Sequence, residues 1–159
     1  MSATPHVWLA QASEKIEIAR LLVSFRDWLG DKEPSAEEIE RSVGLLVADP
    51  ATEFLLGSTG AAAQAVCQLR FRHSVWTSTE DCWLEDLYVE EAVRGAGLGR
   101  ALVQAACGRA RERGALRIEL DTNEHNLAAI ALYESCGFSA SSKSHGEATA
   151  RDLFFGRRL

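Results

Sequence analysis

The chain has 159 residues, of which 47% are hydrophobic and 25% are charged, a composition typical of a globular protein with a buried core. It carries 17 basic and 23 acidic residues, and the formal net charge of −6 argues against general binding of nucleic acid. No apolar run approaches the roughly 18 residues of a membrane span, and residues 1–6 lack the basic and apolar regions of a signal peptide. We therefore expect one domain over residues 1–159, with neither a nucleic-acid nor a membrane partner.

The four cysteines are scattered along the sequence, and no two of them form a Cys-x-x-Cys pair. We interpret them as small buried thiols in a reducing compartment rather than as disulfides, which predicts a cytoplasmic protein. The four histidines show no metal-ligand spacing with one another or with the cysteines, so we expect no metal site.

The first third of the chain predicts a short strand at residues 7–9 and two helices. Ser13 is a candidate N-cap for the first helix, which runs to about residue 29 with apolar residues at helical spacing. Ser35 and Glu38 form a capping box, in which each side chain satisfies a free backbone donor, and this box opens the second helix. The pair Asp49-Pro50 ends it.

Three strands are predicted next, at residues 53–57, 62–72 and 83–89. A turn at Gly57-Ser58-Thr59-Gly60 joins the first two strands, and a polar loop over residues 73–81 leads to the third. The third strand is rich in aromatic and branched residues, which favour extended structure.

The glycine-rich segment Arg94-Gly95-Ala96-Gly97-Leu98-Gly99 follows this third strand. A helical pattern begins inside the segment, at residues 100–113, and Gly114 ends it. Free backbone N–H groups and the positive end of a helix dipole therefore converge on one spot, which suits a phosphate or pyrophosphate group. Glycine lets the phosphate oxygens approach the backbone, because it has no Cβ.

Two common phosphate-binding loops fit this segment poorly. A nucleotide P-loop needs Gly-Lys-Ser/Thr after its first glycine, and no such run exists. The dinucleotide fingerprint fails in both frames, because Arg100 or Leu102 stands where a small residue is needed. Glu119 and Asp121 do lie about twenty residues further on, where a dinucleotide site places an acid. A small NAD-binding domain therefore stays open as an alternative.

The rest of the chain predicts a strand at residues 116–121, a helix at residues 126–136 with Gly137 as its C-cap, and two final strands within residues 138–158. The predicted order is thus β-α-α-β-β-β-α-β-α-β-β. No repeat, low-complexity tract or interdomain linker interrupts it.

Two segments together resemble the signatures of the GNAT superfamily of N-acetyltransferases. Arg94-x-x-Gly97-x-Gly99 is similar to the superfamily's acyl-coenzyme A loop. In the second segment, Asn126, then Ala131-Leu132-Tyr133, then Gly137-Phe138 stand in the superfamily's order. The resemblance covers about residues 7–157. It implies the α/β GNAT fold, a mixed and mostly antiparallel sheet of six to seven strands flanked by about four helices.

The resemblance also implies acetyl-CoA as cosubstrate, a small-molecule amine as acceptor and a homodimer as assembly. The loop, the end of the preceding strand and the second signature would hold the cofactor. The residues concerned are Leu87, Tyr88, Val89, Arg94, Gly95, Ala96, Gly97, Leu98, Gly99, Arg100, Asn126 and Tyr133. Arg94 and Arg100 are both candidates to pair with phosphate. For Arg100, a charged side chain exposed to solvent is an equally good interpretation. Asn126 could cap its helix, bind the cofactor, or do both.

Tyr133 occupies the superfamily's tyrosine position and is the candidate proton donor to the leaving thiolate. A phenol has an ordinary pKa of about 10, so it is protonated at neutral pH. Glu85 is the candidate base that takes a proton from the amine. In a regular strand Glu85 and the adjacent Asp86 point to opposite faces, so only one would face the amine, and Asp86 is interpreted as structural. Asp121 is a weaker candidate.

The sequence leaves several classes of acceptor amine open. The run Leu84-Glu85-Asp86 resembles the diamine and small-amine branch of the superfamily, which favours a small primary amine or polyamine. A protein or peptide N-acetyltransferase and a non-catalytic acyl-CoA sensor are the alternatives. Candidate pocket residues are Trp28, Trp76, Arg70, Arg72 and His73, and candidate acids that would attract a cation are Asp27, Asp31, Glu33 and Glu80.

Overall fold

The computed structural model describes residues 4–139, which form five strands and four helices. The strands are β1 (His6–Leu9), β2 (Thr52–Ser58), β3 (Ala65–Ser74), β4 (Thr79–Val89) and β5 (Ile118–Glu119). The helices are α1 (Lys15–Trp28), α2 (Ala36–Leu46), α3 (Leu98–Glu112) and α4 (Leu127–Ser135), and short 3-10 turns precede α1 and follow β4. Within these residues no helix is long and apolar enough to cross a membrane.

The strands form one sheet in the order β1-β2-β3-β4-β5. The first three pairings are antiparallel and the β4–β5 pairing is parallel, which confirms a mixed, mostly antiparallel sheet. The described residues contain five strands rather than the expected six to seven. The expectation had counted two strands within residues 138–158, and nearly all of that segment lies outside the described residues.

Helices cover both faces of the sheet. On one face α3 packs Leu98, Leu102 and Ala106 against buried residues of the strands, including Leu84. On the other face α1 and α2 pack Ile18, Leu21 and Val43 against buried residues that include Tyr88. All these helical side chains are almost fully buried, so each helix is held by its apolar stripe.

Several predicted element boundaries differ from the structure. Ser13 does not cap α1, because it lies inside the 3-10 turn, whose capping box is formed by Gln11 and Glu14. The capping box of Ser35 and Glu38 at the start of α2 is confirmed. The strand predicted at residues 116–121 shrinks to β5, because it pairs with β4 at only two positions.

The polar loop predicted at residues 73–81 is mostly strand. β3 and β4 pair as far as Ser74 and Thr79, so a tight hairpin replaces the loop. Ser78 adopts a positive φ of 56° at its tip. Trp76 also lies at this tip and is 87% exposed.

A β-bulge interrupts β4 at Glu85. Gln68 of β3 pairs with Asp86, and the next β3 residue, Leu69, pairs with Leu84, so Glu85 has no partner across the ladder. The extra residue shifts the alternation of side chains by one position. Leu84 accordingly packs on the α3 face, whereas Tyr88, four residues later, packs on the α1 face.

Candidate active site

The glycine loop turns from β4 into α3 through two left-handed residues. Gly95 has a φ of 82° and Gly97 a φ of 84°, conformations that residues with a Cβ adopt at a cost. Gly97 is the N-cap of α3 and offers no side chain to accept from the helix. Because the first N–H groups of a helix have no partner inside it, those of α3 are directed at whatever lies beyond the loop. An anion suits that position.

Gly99 has a different reason to be glycine. A Cβ at this position would lie 3.2 Å from Cδ2 of Leu132 and 3.8 Å from Cγ2 of Val89. The missing side chain thus lets the first turn of α3 approach α4 closely. The second sequence signature, which includes Leu132, is therefore in contact with the first.

A cavity of about 540 Å³ opens in front of the loop. It is lined by residues of α1, β4, the loop, α3 and α4, together with Asp121 and Thr122 from the segment after β5. Every residue that the sequence predicted for catalysis or cofactor binding lines it except Ala96. The lining thus includes Glu85, Leu87, Tyr88, Val89, Arg94, Gly95, Gly97, Leu98, Gly99, Arg100, Asn126 and Tyr133. The structure brings these residues together around one cavity.

The edge of β4 that faces β5 is open beside this cavity. β5 pairs with Cys82 and Trp83 alone among the described residues of β4. Apart from the bulged Glu85, the strand keeps its pairing with β3 on its other side from Leu84 to Val89. The carbonyl of Val89 accepts from Nε of Arg94, and the other backbone groups of residues 84–89 on the β5 side are available to a ligand lying along the strand.

Both carboxylates of the bulge line the cavity. The expectation that only one of Glu85 and Asp86 could face it assumed a regular strand, and the bulge removes that assumption. Glu85 is exposed, whereas Asp86 is partly buried. Burial, and then the charges of Glu85 and Asp121, raise the pKa of Asp86 to about 6. Asp86 is thus a carboxylate that takes up a proton close to physiological pH.

Tyr133 is almost fully buried, at 9% exposure, on the α4 wall of the cavity. Its ring lies against Phe138, with 5.9 Å between ring centroids. Burial first, and then interactions with Cys67, Asp121 and Asp86, raise the pKa of its phenol to about 12. The phenol therefore carries its proton at neutral pH and interacts electrostatically with the same carboxylates.

Each end of α4 makes a contact with a polar side chain predicted for the site. The Asn126 side chain accepts a hydrogen bond of 3.2 Å from the N–H of Ala129 and so caps α4. Its amide group also lines the cavity, which keeps both roles suggested by the sequence compatible. Arg100 donates a long hydrogen bond of 3.5 Å to the carbonyl of Ser135.

Arg94 is engaged by aromatic rings and by the backbone. Its guanidinium carbon lies 4.8 Å from the centre of the Trp28 ring and 5.8 Å from that of Tyr88. Its Nε–H donates to the carbonyl of Val89 at 2.9 Å. The sequence had suggested phosphate as a partner of this side chain.

The candidate acceptor residues separate into two groups. Trp28 lines the cavity, and so does Phe25, one helical turn earlier, which the sequence reading missed although the two share a face of α1. Trp76 and the arginines of β3 do not line it: Trp76 is at the hairpin tip, and Arg70 lies 3.7 Å from Asp49. Among the candidate acids, Glu80 is paired with Arg113.

The two acids of the dinucleotide alternative are separated in the structure. Asp121 lines the cavity, whereas Glu119 does not, and the Glu119 carboxylate lies 3.1 Å from Nε of Arg117. An elongated acyl-CoA fits this site better than a dinucleotide does. The site offers N–H groups without an acceptor at the loop, an open edge of β4 and a cavity that both of them border. All four cysteines are free thiols, and Cys67 and Cys82 are buried as expected.

Comparisons with known proteins agree with this geometry. Glucosamine 6-phosphate N-acetyltransferase from Trypanosoma brucei brucei is 38% identical over 60 residues, 38% of this chain and 39% of that protein. Thialysine N-epsilon-acetyltransferase from Caenorhabditis elegans is 33% identical over 81 residues, 51% of this chain and 50% of that protein. Both matches therefore span half or less of the relative's own length.

The likeness in fold extends over almost the whole chain. A solved structure from Arthrobacter sp. FB24, described as an acetyltransferase, superimposes with a TM-score of 0.83 at 27% identity, covering 97% of this chain and 96% of that one. The model of the acetyltransferase (GNAT) family matches residues 15–138, which include the loop, the bulge and Tyr133. The chain belongs to the GNAT acetyltransferase family.

Proposed function

We propose that this protein transfers an acetyl group from acetyl-CoA to the primary amine of a small molecule, with a diamine or polyamine as the favoured class. One observation carries the proposal. A single cavity contains an uncapped helix N-terminus, a carboxylate that titrates near neutral pH and a phenol that stays protonated. Acetyl transfer from acetyl-CoA to an amine uses all three: an anion site for the cosubstrate, a proton acceptor for the ammonium ion and a proton donor for the leaving thiolate.

The loop and β4 would hold the cosubstrate. The N–H groups at the start of α3 would bind its pyrophosphate, and the backbone groups of Leu87 and the N–H of Val89 would bind its pantetheine arm. Acetyl-CoA supplies the thioester carbonyl that the amine attacks and the thiolate that leaves. A backbone N–H of β4 is a suitable donor to the carbonyl oxygen as negative charge develops there.

Asp86 is our candidate for the proton acceptor, in place of Glu85. An amine reaches the enzyme as an ammonium ion and must lose a proton before it can attack. A carboxylate with a pKa of about 6 is ionised at neutral pH yet is more basic than an ordinary aspartate. Glu85 is exposed beside it, where its charge would attract the incoming cation.

Tyr133 is our candidate for the proton donor to the thiolate. Its phenol holds a proton throughout the physiological range, because burial keeps its pKa near 12. Its place on α4 puts it in the lining of the same cavity as Asp86 of β4. Donation at this position would stop the thiolate from reversing the reaction.

The charge of the cavity favours a cationic acceptor. Glu85, Asp86 and Asp121 line it and supply negative charge that attracts a cation. The two curated relatives named above act, by their names, on glucosamine 6-phosphate and thialysine, both small amines. These features support a small-molecule acceptor over a peptide, which would need a long open groove.

The test is coenzyme A release from acetyl-CoA across a panel of diamines, polyamines, amino acids, amino sugars, aminoglycosides and short peptides. Turnover well above a no-amine blank with small cationic amines is expected. Tyr133→Phe should reduce turnover while leaving acetyl-CoA binding unchanged. Tight binding without turnover on any amine would favour the sensor alternative, and turnover on peptides alone would contradict the acceptor class. Sedimentation velocity would test the proposed homodimer.

A further inference from the structure

The first residue of the glycine loop is held by α1 rather than left free at the anion site. The Arg94 guanidinium lies over two rings, that of Trp28 at the end of α1 and that of Tyr88 on β4. The Nε–H of Arg94 is also used, by the carbonyl of Val89. The nearest acid is Glu91, at 3.8 Å and 72% exposed, so it is a weak competitor for the guanidinium.

The two rings under Arg94 belong to one aromatic cluster. Phe25 stacks on Trp28 with 6.2 Å between centroids and on Tyr88 with 5.4 Å. Phe25 and Trp28 come from α1, and Tyr88 comes from the strand that leads into the loop. The cluster therefore joins α1, β4 and the loop, and the guanidinium closes it on the solvent side, where Trp28 is 43% exposed.

A second contact fixes α1 to the same part of the chain. Arg20 donates to Glu90, just after β4, at 2.7 Å, and to the carbonyl of Ala63 at 2.6 Å. Neither Arg20 nor Glu90 lines the cavity. The α1 helix is thus tied at two points to the segment that carries the loop, and only the tie through Trp28 and Arg94 borders the cavity.

We propose that Arg94 is a positioning residue that acts through Trp28: the stacked guanidinium holds the glycine loop against α1 and so keeps the N–H groups of α3 aimed at the pyrophosphate. This inference rests on the proposed binding of acetyl-CoA. It gives Trp28, a side chain without phosphate-binding chemistry, a share in the affinity for acetyl-CoA. In this arrangement the positive charge of Arg94 interacts with the two aromatic rings rather than with phosphate.

The experiment is a double-mutant cycle on acetyl-CoA binding, measured by calorimetry. The proteins are the wild type, Trp28→Leu, Arg94→Met and the double variant, with melting temperatures recorded for each. We expect Trp28→Leu to raise the Kd for acetyl-CoA about three- to tenfold, as the loss of a cation–π contact implies. Arg94→Met should have a similar or larger effect. The double variant should be no weaker than Arg94→Met alone, because both changes remove the same contact.

Two further readouts separate positioning from direct contact. Trp28→Phe should restore most of the affinity, since a phenyl ring also attracts a guanidinium. S-acetylpantetheine lacks the adenosine and pyrophosphate groups, so its KM should be nearly the same in the wild type and Trp28→Leu. Trp76→Leu makes the same substitution at an exposed tryptophan outside the cavity, and it should leave the Kd for acetyl-CoA unchanged.

Three results would overturn the inference. An unchanged Kd in Trp28→Leu would show that the ring contributes nothing. Effects of the two single variants that multiply in the double variant would show that Arg94 contacts phosphate independently. Equal losses for acetyl-CoA and S-acetylpantetheine would show that Trp28 touches the acyl end. Failure of the wild type to bind acetyl-CoA would overturn the proposed function together with this inference.

Discussion

The two ends of α3 differ in whether their polar groups have partners within the protein. At the C-terminal end, Arg109 makes two hydrogen bonds to Glu53, at 2.8 and 2.9 Å, and Arg113 makes two to Glu80, at 2.9 and 3.0 Å. Arg113 also donates to the carbonyl of Pro50 and lies over the Phe71 ring. These cations complement the negative end of the helix dipole. At this end of α3, the charged side chains are therefore paired with other groups of the same chain.

Within residues 4–139, no side chain caps the N-terminal end of the same helix. Its N-cap is Gly97, which has no side chain to accept from the first N–H groups. The positive end of the dipole faces the cavity instead of an acid from the same chain. One helix is therefore anchored at one end and open to a ligand at the other. Changes at the anchored end should cost stability, and changes at the open end should cost binding or catalysis.

The largest effect is expected where the open end meets β4. Asp86→Asn should lower kcat about 10²- to 10³-fold, the usual contribution of a general base. Glu85→Gln should cost less than about tenfold, since an exposed charge only steers the amine. Steady-state assays of both variants decide which carboxylate is the base. Full activity in Asp86→Asn with a large loss in Glu85→Gln would restore Glu85 to that role.

The pH profile gives an independent check on the same residue. The base must be ionised, so kcat/KM of the wild type should rise with pH through about 6, the pKa of Asp86. Asp86→Asn should lose this limb, and Glu85→Gln should keep it, shifted slightly to lower pH because one neighbouring charge is gone. A limb near pH 4 in the wild type would contradict a raised pKa in the working enzyme.

The next effect compares two glycines at opposite ends of α3. Gly97 and Gly114 have positive φ angles of 84° and 78°. A Cβ at Gly97 would make an ordinary contact with Cγ of Pro5 at 3.7 Å, and one at Gly114 would meet nothing within 4 Å. Alanine should therefore cost a similar amount of stability at both, about 1–2 kcal/mol. Only Gly97→Ala should weaken acetyl-CoA binding, by about tenfold, because its backbone faces the ligand. Calorimetric titration of both variants measures the Kd for acetyl-CoA. Equal losses of affinity in the two variants would contradict a ligand site at the N-terminal end of α3 alone.

A smaller effect is expected at the anchored end. The Glu53 side chain is 12% exposed and holds both Arg109 and Arg113, so Glu53→Gln should lower the free energy of unfolding by about 2 kcal/mol. Glu112→Gln, which removes an exposed partner of Arg109, should cost almost nothing. Chemical denaturation measures both, and kcat should not change in either variant. A loss of kcat in Glu53→Gln would show that the C-terminal end of α3 also affects catalysis, contrary to the separation of roles described above.

The stabilisation by Glu53 should depend on pH in a defined direction. Burial acts to raise the pKa of its carboxyl, but the hydrogen bonds and charges of Arg109 and Arg113 outweigh burial and lower it. A lowered pKa in the folded state stabilises the protein above the unfolded pKa of about 4.3, and this stabilisation is lost as the pH falls. The difference between the wild type and Glu53→Gln should therefore disappear in acid.

The smallest effect has the opposite sign. The folded protein holds Asp86 at a pKa of about 6, above the unfolded value, so the ionised carboxylate opposes folding at neutral pH. Asp86→Asn should therefore raise the free energy of unfolding by about 1–2 kcal/mol near pH 8, and the gain should vanish below about pH 4. Denaturation at both pH values tests this. A less stable Asp86→Asn protein at pH 8 would mean that the charge has a partner that favours folding.

The sequence predicted the open end of α3 well because its signals are local. Glycine spacing and the start of a helical pattern lie within a few residues of one another, and Ser35 and Glu38 mark α2 in the same way. The bulge at Glu85 leaves no comparable signal, since it is set by pairing with Gln68 and Leu69 on another strand. For the same reason the contact of Arg94 with Trp28 is invisible in the sequence: it joins two distant segments that only the fold brings together.

Amide hydrogen exchange tests the contrast between the two ends of α3 most directly. In the free protein, the N–H groups of Leu98, Gly99 and Arg100 should exchange rapidly, since the first turn of a helix gives them no acceptor. Saturating acetyl-CoA should slow their exchange at least about tenfold, whereas Arg113 and Gly114, already bonded to Arg109 and Arg111, should not change. NAD at the same concentration should have no effect. Protection that acetyl-CoA leaves unchanged at residues 98–100 would contradict an acyl-CoA site at the start of α3.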